Sequence, residues 1–108
     1  MEKRIEELFA ERHIYNYFSG YIYLVIAVKI AMQKQILQEQ IENFLELIAL
    51  HSADSKINIS RCLRRAYTLS TVLENGFYYQ NKTPKEILDS IYYIVFKIAN
   101  TLLLEGYS

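Results

Sequence analysis

The chain predicts an all-α fold, a compact domain of about five or six helices containing a helix-turn-helix. Three observations carry this reading. One proline and three glycines are all that punctuate 108 residues, apolar side chains recur at intervals of three and four rather than two, and the length suits a single modest core. No internal repeat, low-complexity tract or linker divides the chain, so residues 1–108 read as one domain.

The elements follow in order. A first helix over 3–12 turns Ile5, Leu8 and Phe9 inward. Ser19 and Gly20 mark the approach to a second helix over 20–33, whose apolar residues lie on nearly every side and predict a central position. A third helix over 35–51 carries Leu37, Ile41, Phe44, Leu45 and Ile48 as its stripe, with Glu39, Glu42 and Glu46 outward. The stretch "SADSKIN" then offers turn and capping chemistry, with Ser55 or Asn58 as the N-cap of the next helix. That fourth helix, over 58–74, ends at Asn75-Gly76, where glycine readily takes the left-handed conformation that closes a helix. The same pair can turn a hairpin of "TVLENGFYYQ", but the helical spacing upstream favours the helix. The last helix has the clearest start: Thr83 as N-cap, Pro84 in the first turn and Glu86 reciprocating from the third position. Residues 35–74 thus contain a helix, a turn of about five to seven residues and a second helix bearing arginines, which is a helix-turn-helix layout.

Composition excludes several classes of function. Twelve basic residues balance twelve acidic ones, so no global field draws the chain to nucleic acid or membrane, and any electrostatic function is local. A lone cysteine, Cys62, rules out an internal disulfide and suits a reducing compartment. The N-terminal "MEKRIEELFAERH" is charged and amphipathic, without the apolar core of a secretion signal, so a cytoplasmic location is expected. The apolar runs "GYIYLVIAVKIAM" and "IYYIVFKIANTLLL" fall short of the roughly 20 residues of a membrane span. Lys29, Lys97 and Asn100 interrupt them, so both read as buried helices. His13, His51 and Cys62 lack metal-ligand spacing, and no glycine-rich phosphate loop is present. With no acid, base and nucleophile to group together, neither catalysis, metal, cofactor nor small-molecule substrate is expected.

The distinctive segment is "ISRCLRRAY", residues 59–67. At about 100° per residue, Arg61, Arg64 and Arg65 fall on one side of a helix and Ile59, Cys62, Leu63 and Ala66 on the other. From Ser55 to Leu73 the bases Lys56, Arg61, Arg64 and Arg65 occur without a single acid, so pairing within the helix cannot neutralise them. Like charges at these spacings cost a few tenths of a kcal/mol each. One reading makes the arginines merely a soluble face, their long side chains reaching water or acids on another helix such as Glu42 or Glu46. The other places the helix in the major groove of double-stranded DNA, where guanidinium forks hold guanine O6 and N7 or bridge phosphates. Lys56, Asn58, Ser60 and Thr68 flank that face and would add contacts.

Three segments also carry a resemblance. In order and approximate spacing, "GYIYLVIAV" (20–28), "ISRCLRRAY" and "IANTLLLE" (98–105) resemble the C-terminal DNA-binding domain of the stage-zero sporulation response regulator family. That family's recognition helix reads Val-Glu-Arg-Ala-Ile-Arg-His-Ala-Ile and its last helix Val-Ala-Asp-Lys-Leu-Arg-Leu-Glu. The resemblance implies a six-helix domain that binds promoter DNA as a dimer, with the last helix in dimer contacts. Arg61 and Arg64 stand at family arginines, Arg65 at a histidine and Ser60 at a glutamate.

Departures matter as well. The family's receiver domain has no counterpart here, the loop after Gly76 is shorter, and "LHSAD" replaces a basic, aromatic helix ending. Val25 and Ile26 stand at a family Arg-Glu pair and Leu103 at an arginine, which turns three expected surface positions apolar. With Tyr92, one of ten tyrosines whose rings suit half-covered interfaces, these residues are the expected partner or homodimer surface. Two functions of different class follow: a DNA-binding transcriptional regulator, or a stand-alone interaction and dimerisation module that has lost DNA binding.

Overall fold

The computed structural model describes residues 1–34, 43–76 and 81–108. Within them lie five helices and no strand: α1 (Glu2–Ala10), α2 (Tyr21–Lys34), α3 (Phe44–Ser52), α4 (Lys56–Asn75) and α5 (Pro84–Leu104). The all-α class read from the spacing is the class observed.

Helix α1 buries Ile5, Leu8 and Phe9 and then stops in a turn where His13 is left-handed, at φ 59°. The turn is held by the Ile14 N–H donating to the Phe9 carbonyl at 3.0 Å. One carbonyl left over at this end, that of Arg12, accepts from the buried hydroxyl of Ser70 on α4 at 2.8 Å. A helix end otherwise short of partners is thereby satisfied from another element.

Helix α2 is central, as its all-round apolar sequence predicts. Leu24, Ala27, Val28, Ile30, Ala31 and Met32 are buried, and the helix packs against α3, α4 and α5. Gly20 sets how closely its start approaches α4: a Cβ there would lie 2.5 Å from the Cys62 carbonyl oxygen.

Helix α5 begins where the capping sequence places it. The Glu86 N–H donates to Thr83 Oγ1 at 3.2 Å, and the Thr83 N–H donates to Glu86 Oε1 at 3.3 Å. By length and composition α5 can cross a membrane, with a mean hydropathy of 1.5 over its best window. In the fold it supplies Ile87, Ile91, Tyr92, Val95, Ile98, Ala99 and Leu102 to the core. Helix α3 contributes Phe44 and Ile48 as expected. The earlier part of the expected third helix, with Leu37, Glu39, Ile41 and Glu42, lies outside the described residues.

The expected partner surface needs correction. Tyr92 is 3 % exposed and packs its ring on Phe44, centroids 5.2 Å apart, so it belongs to the core. Burial, with the nearby Asp89 charge adding to it, pushes the Tyr92 phenol up to about 12. Val25 and Ile26 are half-buried and packed against the core, because α2 is covered on most of its sides. Of the four residues, Leu103 alone is exposed.

Candidate nucleic-acid interface

Residues 53–55 join α3 to α4, and each does a separate job. Ala53 closes α3 in the left-handed conformation, φ 57° and ψ 32°, with its N–H donating to the Ala49 carbonyl at 2.9 Å. Ser55 is extended and caps α4, its Oγ accepting from the Asn58 N–H at 3.1 Å. Ser55 rather than Asn58 is therefore the N-cap, and α4 starts two positions before the expected 58. Asp54 ties the turn to its surroundings. Its Oδ1 accepts from the Ser55 N–H at 2.7 Å, and its Oδ2 accepts from Asn58 Nδ2 at 2.7 Å and from the hydroxyl of Tyr23 on α2. The Tyr23 bond, then those from Asn58 and the Ser55 N–H, hold the Asp54 carboxyl below the ordinary carboxylate range. The same bond pushes the Tyr23 phenol up. Helix α4 is thus locked at its N-terminus against both α3 and α2.

Helix α4 turns Ile59, Leu63, Ala66 and Ser70 to the core. Arg61 and Arg65 are exposed on the far side and Arg64 is half-buried at its edge. Arg61 Nη2 donates to Asn58 Oδ1 at 3.0 Å, and Arg64 Nε donates to Ser60 Oγ at 3.4 Å. These partners are neutral. The ion pairs among the described residues are Arg4–Glu105, Lys29–Glu2 and Lys56–Glu46, so none of the three arginines meets a described carboxylate. Of the two acids that a solvated arginine face could reach on the preceding helix, Glu46 takes Lys56 at 3.0 Å, and Glu42 lies outside the described residues.

The flanking residues divide. Ser60 sits within the arginine face, but Lys56 is drawn toward α3 by Glu46. Asn58 spends its amide on Asp54 and Arg61, and Thr68 returns its hydroxyl to the Arg64 carbonyl at 2.9 Å. Asn58 and Thr68 therefore brace the helix and its arginines from within, where outward-pointing groups were expected.

Other residues of this surface escaped the sequence reading. Tyr23 and Asp54 fix the turn from positions far apart in the chain, and no local signal joins them. Ile57 is 79 % exposed in the first turn of α4, and Leu50 is 78 % exposed on α3. Ile57 lines a shallow hollow between the two helices with Glu46, Lys56, Ser60 and Arg64. Its spacing to Arg61 and Arg64 does carry a signal, since positions 57, 61 and 64 share one helix face. Farther along, Leu69, Val72 and Leu73 are exposed beside Tyr17 and Arg65.

No protein-family model matches the chain, and no curated protein or solved structure matches it either.

Proposed function

We propose that the protein is a DNA-binding transcriptional regulator in which α3, the 53–55 turn and α4 act as a helix-turn-helix, with α4 seated in the major groove. The observation that carries the reading is the outward face of α4, where Arg61, Arg64 and Arg65 stand without a described carboxylate partner in a protein of zero net charge. Two further points support it. The N-terminus of α4 is anchored by Ser55, Asp54 and Tyr23, so the arginines are carried on a rigid element. The resemblance to the sporulation regulators aligns Arg61 and Arg64 with arginines of their recognition helix.

In this reading the exposed Arg61 and Arg65 and the edge residue Arg64 share two tasks. A guanidinium fork that meets guanine O6 and N7 selects sequence, while one that meets phosphate fixes register. Asn58 and Ser60 orient Arg61 and Arg64 beforehand, which lowers the ordering cost of contact. A homodimer with two half-sites one helical turn apart belongs to the same proposal, as does action in the cytoplasm without a cofactor.

Selection of bound sequences from random duplex DNA, followed by titration at two salt concentrations, tests the reading. Affinity is expected to fall with salt at a logarithmic slope of about −0.9 per phosphate contacted. Arg64→Ala combined with Arg65→Ala is expected to weaken binding and flatten that slope. Absence of binding at low salt, or binding indifferent to both substitutions, refutes the proposal.

A second reading, an interaction module without DNA binding, is favoured by the exposed Ile57, Leu69, Val72 and Leu73 that border the arginines, with Leu50 exposed nearby beside Lys56. Light scattering that finds only monomer, together with specific duplex binding, decides against it.

A further inference from the structure

Ile57 is the most exposed large apolar side chain of the described residues after Leu104, at 79 % against 89 %. Its position distinguishes it from an ordinary surface isoleucine. It lies in the first turn of α4, one helical turn before Arg61 and two before Arg64, so the three side chains form one ridge. Arg64, Ser60 and Lys56 surround it across the shallow hollow toward α3. A β-branched side chain in a helix is held to essentially one rotamer, so its methyl groups are presented in a fixed direction.

In a helix-turn-helix the N-terminal residues of the second helix meet the base edges. Among the base-edge groups of the major groove, the C5 methyl of thymine is the one methyl, an apolar knob with no hydrogen bond to offer. Arginines cannot recognise that group. An isoleucine fixed beside them can, by removing both apolar surfaces from water. We infer that Ile57 is a specificity-determining residue that reads a thymine methyl group next to the base or phosphate contacted by Arg61 or Arg64. The inference rests on the DNA-binding reading above and extends it by naming the chemical group that this position selects.

The test uses the full chain and the duplex recovered by random-sequence selection. Each thymine in turn is replaced by deoxyuridine, which removes the methyl and leaves every hydrogen-bonding group in place. For the unaltered protein, one such replacement per half-site is expected to weaken binding about fourfold, the effect of one buried methyl-sized group. For Ile57→Ala the same replacement is expected to change nothing, while the salt dependence matches that of the parent because no charge has been removed. Helical content by circular dichroism confirms that this exposed substitution leaves the fold intact. DNA binding in which deoxyuridine costs the two proteins equally at every position overturns the assignment and leaves the DNA-binding reading standing. Loss of self-association in Ile57→Ala, with thymine discrimination unchanged, assigns the side chain to a protein interface instead and likewise overturns it. Failure of the unaltered protein to bind any duplex at low salt removes both.

Discussion

Replacing Gly20 by alanine tests whether the backbone of α2 seats the candidate recognition helix. The new Cβ would lie 2.5 Å from the Cys62 carbonyl oxygen, 2.9 Å from its carbon and 3.3 Å from the Ala66 Cβ. Gly20 is not among the residues with positive φ, so alanine can adopt its backbone and the cost is purely one of space. The obstructing atoms belong to α4's own hydrogen-bonded ladder, so they cannot turn aside as a side chain would. The start of α2 and the middle of α4 must separate by about 1 Å to restore ordinary carbon contacts. Overpacking of this kind costs about 1–3 kcal/mol. Against it, alanine reduces the freedom of the unfolded chain by about 0.4–1 kcal/mol. Because the two closest contacts are to backbone, the upper half of the overpacking cost, about 2–3 kcal/mol, applies; the net loss is then about 1–2.6 kcal/mol, which lowers Tm by about 4–20 °C for a domain of this size. Thermal unfolding followed by circular dichroism measures it. Ala66→Gly supplies the control: it removes the third contact and leaves the two backbone contacts, so combining it with Gly20→Ala should add its own helix-weakening cost without rescue. An unchanged Tm for Gly20→Ala, or full recovery in the double variant, refutes the argument that backbone meets backbone here.

Two further expectations concern pH. The Tyr92 phenol is raised from its ordinary 10 to about 12, so the folded state keeps a proton that the unfolded chain releases. The associated stability is fully present below pH 10 and lost as pH rises toward about 12. Tyr21 and Tyr23 are raised as well, so phenolate absorbance should show several tyrosines titrating late, and Tyr92→Phe should remove the amplitude near 12. The Asp54 carboxyl is lowered from 3.8, so its contribution is present above that value and disappears as pH falls through the depressed one. Denaturant midpoints across the acid range should fall less steeply in Tyr23→Phe than in the parent chain; identical acid limbs would show that the Tyr23 bond does not hold the turn.

What the sequence disclosed depended on the range of the forces involved. The start of α5 was legible because a capping box closes within four residues, and the end of α4 because Gly76 need only be left-handed, at φ 81°. The inner face of α4 was legible too, since Ile59, Leu63 and Ala66 recur at helical spacing. Tyr92 was misread because the width of a buried stripe depends on how many neighbours a helix has. Ile87, Ile91, Val95, Ile98 and Leu102 define the centre of that stripe on α5; α1, α2 and α4 all pack on the helix, and Phe44 of α3 covers Tyr92, so burial extends beyond the stripe. Val25 and Ile26, expected at the surface, are half-buried for the opposite reason: on a helix apolar on all sides, no contrast marks which side faces out.

The charge state of the arginine face is likewise a tertiary quantity. Local spacing excludes partners within α4 but is silent about α3, whose outward glutamates were the natural candidates. The three-residue turn decides the matter for Glu46. With Ala53 left-handed and Ser55 extended, α4 begins at Lys56, and that first residue lies nearest the outer face of α3, so the lysine takes the glutamate at 3.0 Å. Arg61, more than a turn farther along, is left to Asn58, a neutral partner that orients its guanidinium without cancelling its charge. The same short connection that fixes the angle of entry into α4 therefore also determines which cation on the helix is neutralised within the fold and which stand without a described carboxylate beside them.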